Sequence, residues 1–138
     1  MVEVCADSVL LVDDNDIDLF INKKIIEFNN FSNHLISLSS SQEALDYLQK
    51  AEKGSLPQLI FLDLNMPLSD GFQFLAEFSK LEEHIKTGVS IVILTSSNNP
   101  NDKDKVEKNA NVLYFLSKPL NEEKLQIIRD KMKETAKV

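Results

Sequence analysis

Short runs rich in β-branched and apolar residues recur at 9–12, 35–38, 59–62, 90–94 and 112–116, separated by stretches long enough for helices. This spacing predicts a fivefold alternation of strand and helix. The runs VLLV, LIFL and IVIL are apolar at every position. A strand of that kind has no solvent face, so these three belong inside a parallel sheet with helices on both sides. Ile17, Phe20, Ile21, Ile25 and Phe28 fall at three- and four-residue spacing, as do Leu120, Leu125, Ile128 and Met132, and both sets predict core-facing helical stripes. Ser40 with Glu43, Asn99 before Pro100, and Asn121 before Glu122 and Glu123 mark helix starts.

Composition narrows the class. With 138 residues, 43% hydrophobic and 27% charged, 3 Gly and 4 Pro, the chain suits one compact α/β domain over 1–138, its core at about 7–134. The polar patch 98–105 is too short to be a linker. A net charge of −7 argues against a nucleic-acid partner, which needs clustered cations. Cys5 has no second cysteine to pair with, and neither a signal segment nor a membrane-length apolar run is present, so a cytoplasmic protein without membrane association is expected.

In an open parallel sheet the C-terminal strand ends meet at one edge, where ligand sites form. The residues delivered there are Asp13 and Asp14, Asp63, Thr95 and Ser96, and Lys118 and Pro119. Taken singly each has a plain structural use, as a cap, a loop residue or a surface lysine. Together, three carboxylates in one cleft repel one another unless positive charge sits among them. Lys118 supplies one such charge, and a hard divalent cation such as Mg2+ would supply the rest.

In order and spacing, VLLVDDN, LIFLDLNMPLSDG, IVILTSS and FLSKP resemble the receiver domain of two-component response regulators across essentially the whole chain. The resemblance implies a flavodoxin-like sheet of order 2-1-3-4-5. It implies Asp63 as phospho-acceptor and metal ligand, Asp14 as a direct Mg2+ ligand, Asp13 as a direct or water-mediated one, and the Asn65 backbone carbonyl as another. Lys118 and the Thr95 hydroxyl would meet phosphoryl oxygens, Phe115 would turn inward as Thr95 moves, and Pro119 would follow a cis peptide bond. Gly71 closes the MPLSDG loop, where a residue without Cβ can take positive φ. Asn111-Val112 and Ser96 depart from the family's usual small residues. The implied partners are a histidine kinase or histidine phosphotransfer protein and a downstream protein target, the chain catalysing only its own phosphorylation and dephosphorylation. With the length used by one receiver, no output domain is expected.

Two other classes fit less well. A haloacid-dehalogenase-like phosphatase wants a second Asp two residues after the nucleophile, where Asn65 stands. A flavin-binding carrier needs a Ser/Thr/Gly-rich phosphate loop after the first strand, where Asp13-Asp14-Asn15-Asp16 would repel it. His34 and His84 lack metal-ligand neighbours and read as surface or edge residues. Between 100 and 109 the only large apolar anchor is Val106, so that segment is expected to be the least firmly docked helix and, with the fifth strand and last helix, to carry the phosphorylation-dependent change.

Overall fold

The three all-apolar runs occupy the middle of a five-stranded parallel sheet. The structure, a computed structural model, describes residues 6–51, 56–63, 71–95, 104, 111–118 and 120–136. Its strands are β1 Ala6–Val12, β2 Ser32–Leu38, β3 Leu59–Leu62, β4 Ser90–Thr95 and β5 Val112–Ser117, in spatial order β2-β1-β3-β4-β5. Every pairing is parallel, with Val12 opposite Leu62 and Leu62 opposite Ile93. The flavodoxin-like order expected from the sequence is therefore the order found. β3 is buried at every residue and β4 at all but its first, whereas the edge strands β2 and β5 are mostly half-buried or exposed.

Among the described residues the helical elements are α1 Asp16–Phe28, α2 Ser41–Lys50, α3 Gly71–Phe78, α4 Glu83–Gly88 and α5 Glu122–Ala136. One core layer joins Leu10, Val12, Ile60, Leu62, Ile91 and Ile93 to residues of α2, α3 and α4. The other joins Val9, Leu11, Phe61, Val92 and Leu94 to Ile26, Leu125 and Ile128 of α1 and α5. Alternate residues of one strand thus feed opposite layers, as the pleat requires. The short α4 was not separated from α3 by the sequence pattern.

Capping followed the expected chemistry. Glu43 N–H donates to Ser40 Oγ at 3.2 Å, and the Glu43 carboxylate reaches past the cap to accept from Ser39 N–H and Oγ–H at 3.0 Å each. Lys124 N–H donates to Asn121 Oδ1 at 2.8 Å. Leu120, Leu125 and Ile128 are buried, and Met132 packs against them, as their spacing predicted. Asn99, Pro100 and Val106, like Cys5, Asn65, Ser96 and Pro119, lie outside the described residues. Gly71 is the first residue of α3, and among the described residues no glycine has positive φ. His34 is exposed on the edge strand β2, and His84 lies in α4 beside Glu82.

The stripe expected on α1 is corrected. Ile17, Phe20, Ile21 and Phe28 are 70%, 62%, 43% and 88% exposed, while Asn22 and Ile26 are the buried residues of this helix. Polar anchors set the rotation. Asn22 Oδ1 accepts from Leu120 N–H at 3.4 Å, and the Asn29 carbonyl accepts from the buried Arg129 guanidinium at 2.9 Å. An orphaned buried N–H costs about 1–3 kcal/mol, comparable with burying one more large apolar side chain. The helix therefore turns its amide face inward.

Candidate functional site

β1 and β3 are neighbours ending at the same height, so Asp13 and Asp63 leave the sheet side by side. Their backbones continue the ladder: Asp13 N–H donates to Leu38 O at 3.1 Å and Asp63 N–H to Val12 O at 3.0 Å. Asp14 follows Asp13 at the mouth of the cleft. Carboxylate oxygens of Asp13, Asp14 and Asp63 all lie within 4.8 Å of one another. Two strands away, Thr95 ends β4 fully buried, and its carbonyl accepts from Lys118 N–H at 2.9 Å. That bond fixes the backbone of Lys118 just beyond β5.

Lys118 reaches across the strand ends. Its ammonium donates to Asp13 Oδ2 at 2.7 Å, Asp18 Oδ2 at 2.7 Å and Asp63 Oδ2 at 3.2 Å. Its side chain is 11% exposed, and those of Asp13 and Asp63 are 2% and 6% exposed. Burial alone would lower the lysine's affinity for its proton. The hydrogen bonds to Asp13 and Asp18 and the charges of Asp63 and Asp13 outweigh burial and hold it above the ordinary lysine range. Asp13 is shifted the other way for a carboxylate: burial raises it, aided by the charge of Asp63, against the bonds from Lys118 and Asn15 N–H. The latter bond, 2.9 Å to Oδ1, leaves each Asp13 oxygen with its own donor.

Asp18 was not singled out in the sequence. It stands one helical turn after Asp14 and one before Asn22, on the inward face of α1, which begins with Asn15 Oδ1 accepting from Ile17 N–H and Asp18 N–H at 3.0 Å each. The available signal was this polar spacing, hidden by the louder apolar one. Phe115 lies on β5 opposite Ile93, half-buried against the α2–α4 layer.

Three carboxylates thus meet one ammonium, and the carboxylate of Asp14 lies beside two of them. The donor set is hard, acidic and oxygen-only, and its charge imbalance is what a small divalent cation would relieve, so the residues present fit such an ion. Among the described residues no helix is long and apolar enough to cross a membrane.

Comparison with known proteins identifies the family. The family model described as response regulator receiver domain matches residues 9–129. A probable methanogenesis regulatory protein, FilR2 of Methanothrix harundinacea, is 32% identical over 128 residues, 91% of this chain and 81% of that protein. A two-component response regulator from Cytophaga hutchinsonii is similar in structure, with a TM-score of 0.85 and 32% identity over 94% of this chain and 98% of the other. The Mn2+-bound form of response regulator Rcp1 has a TM-score of 0.70 and 27% identity, covering 90% of each chain. A match that runs from the first strand into the last helix makes this chain a member of the response regulator receiver family.

Proposed function

We propose that this receiver takes a phosphoryl group onto Asp63 from the phosphohistidine of a histidine kinase or histidine phosphotransfer protein, with Mg2+ held by Asp13, Asp14, Asp63 and the backbone carbonyl of Asn65. The observation that carries the reading is the single ammonium of Lys118 shared between Asp13 and Asp63 beside the clustered carboxylates. That the related Rcp1 has an Mn2+-bound form supports the presence of a divalent ion. When bound, the ion supplies positive charge that offsets the carboxylates and the incoming phosphoryl oxygens.

An Asp63 carboxylate oxygen attacks phosphorus in line with the departing histidine nitrogen. The O–P bond forms as the N–P bond breaks, and the electron pair returns to the imidazole, which takes up a proton from solvent. Lys118, no longer paired with a full carboxylate charge at Asp63, turns its ammonium to a phosphoryl oxygen. The Thr95 hydroxyl donates to another, with Phe115 following it inward. These donors act on charge spread over the equatorial oxygens, where fixed groups count most. The product is an acyl phosphate, and its hydrolysis, in which water takes the phosphoryl group away as inorganic phosphate, frees Asp63 again.

A phosphohistidine donor is a protein that brings its imidazole to the cleft. Exposed Ile17, Phe20 and Ile21 stand on the helix that starts beside Asp14 and support protein docking there. Signalling then proceeds through protein contacts. The reading is tested with acetyl phosphate and Mg2+: label is expected on the wild-type protein and none on Asp63→Asn. Asp14→Ala should lose the Mg2+-dependent labelling. Uptake by Asp63→Asn at the wild-type rate would refute the acceptor.

A further inference from the structure

We propose that Asp18 is a positioning residue that keeps the Lys118 ammonium at the cleft once Asp13 and Asp63 are engaged by a cation or phosphoryl group. The proposal deepens the reading of Asp63 as acceptor and rests on it. Of the three carboxylates around the ammonium, Asp13 and Asp63 belong to the cluster that fits a divalent ion, and Asp18 does not. An ion in that cluster would repel the ammonium and offset the charge of the carboxylates they share. A flexible four-carbon stem would then be free to swing toward solvent, unless an anion outside the cluster held it.

Asp18 meets this need from a firm support. Its helix starts at the Asn15 cap, and one turn further on Asn22 accepts from Leu120 N–H, two residues past Lys118. The same face of α1 therefore grips the chain after β5 twice, once at an ammonium and once at a backbone amide. From the other side, Thr95 O holds Lys118 N–H. Root and tip of the lysine are both fixed, and only the tip depends on Asp18. Transfer rates fall steeply when a charged group strays from the developing charge, so the grip at the tip matters to the reaction as well as to the fold.

The test follows labelling from acetyl phosphate in the full chain as wild type, Asp18→Asn, Lys118→Ala and the double variant. Asp18→Asn is expected to slow labelling about tenfold, and the double variant to be no slower than Lys118→Ala alone. In parallel, the nitrogen NMR signal of the Lys118 ammonium is recorded with Mg2+ and beryllofluoride. It should be protected from exchange in the wild type, lost in Asp18→Asn and recovered in Asp18→Glu. Losses that multiply in the double variant, or an ammonium signal unchanged in Asp18→Asn, would overturn the role. If the wild type takes no label the acceptor reading fails, while the ammonium signal with Mg2+ alone still decides on Asp18.

Discussion

Replacing Lys118 by methionine keeps an unbranched stem and removes the charge that three carboxylates share. Asp13 and Asp63 would be left buried without their common cation, whereas Asp18, with a side chain 35% exposed, would recover water. Removing one partner of a buried ion network costs about 3–5 kcal/mol, and the open position of Asp18 reduces this to about 2–3 kcal/mol. For a chain of this size that is a fall of about 10 °C in Tm. The assay is urea and thermal unfolding of both proteins in chelator, then with Mg2+. With no ammonium competing for Asp13 and Asp63, Mg2+ should raise the midpoint of Lys118→Met more than that of the wild type. Acid should also narrow the gap. Asp13 has a folded pKa above its unfolded value of 3.8, so its ionisation opposes folding as pH rises through the folded value, and without Lys118 that opposition grows. On the alkaline side the lysine's own titration leaves its stabilisation in place up to its unfolded value of 10.5, and it is lost as pH rises through the higher folded one. A variant as stable as the wild type in chelator at about pH 7, or a gap that Mg2+ leaves unchanged, would refute the network's role.

Three further outcomes are expected. Glu43→Gln should destabilise the protein at neutral pH and progressively less in acid: bonds from Ser39 hold this carboxyl below its usual value of 4.5, so its contribution is present above that value and lost as pH falls through the folded one, as thermal midpoints across pH would record. Asn22→Ala should cost about 1–3 kcal/mol in urea unfolding, because Leu120 N–H loses its acceptor. Phe28→Ser should stay within about 0.5 kcal/mol of wild type in the same assay, since the ring is 88% exposed; a loss of several kcal/mol would place it in a core.

The central strands were legible because burial on both faces leaves nothing polar in VLLV, LIFL and IVIL. Strand order came from family resemblance, as periodicity carries no information on which strand neighbours which. The gathering of Asp13, Asp14, Asp63 and Lys118 followed from strand ends sharing one edge. α1 misled for a physical reason: apolar spacing reports a core face only when core contacts set a helix's rotation, and here Asp18, Asn22 and Asn29 set it through polar partners. Asp18 went unnoticed with them. Its partner lies 100 residues away, a distance no local pattern spans.

The shared ammonium also has a bearing on how the chain folds. Lys118 meets Asp13 across 105 residues and Asp63 across 55, and no fragment lacking β1, β3 or β5 can assemble those contacts. Bringing such distant segments together must be preceded by the closure of long loops, so the strand-end cluster forms late, after the βα units that carry it. A cation that recognises the finished cluster binds the native state and not its precursors, and so slows unfolding more than it speeds folding. Ion-dependent unfolding kinetics would thus count molecules in which β1 and β3 have met, and a chain stalled before that pairing would be blind to the ion.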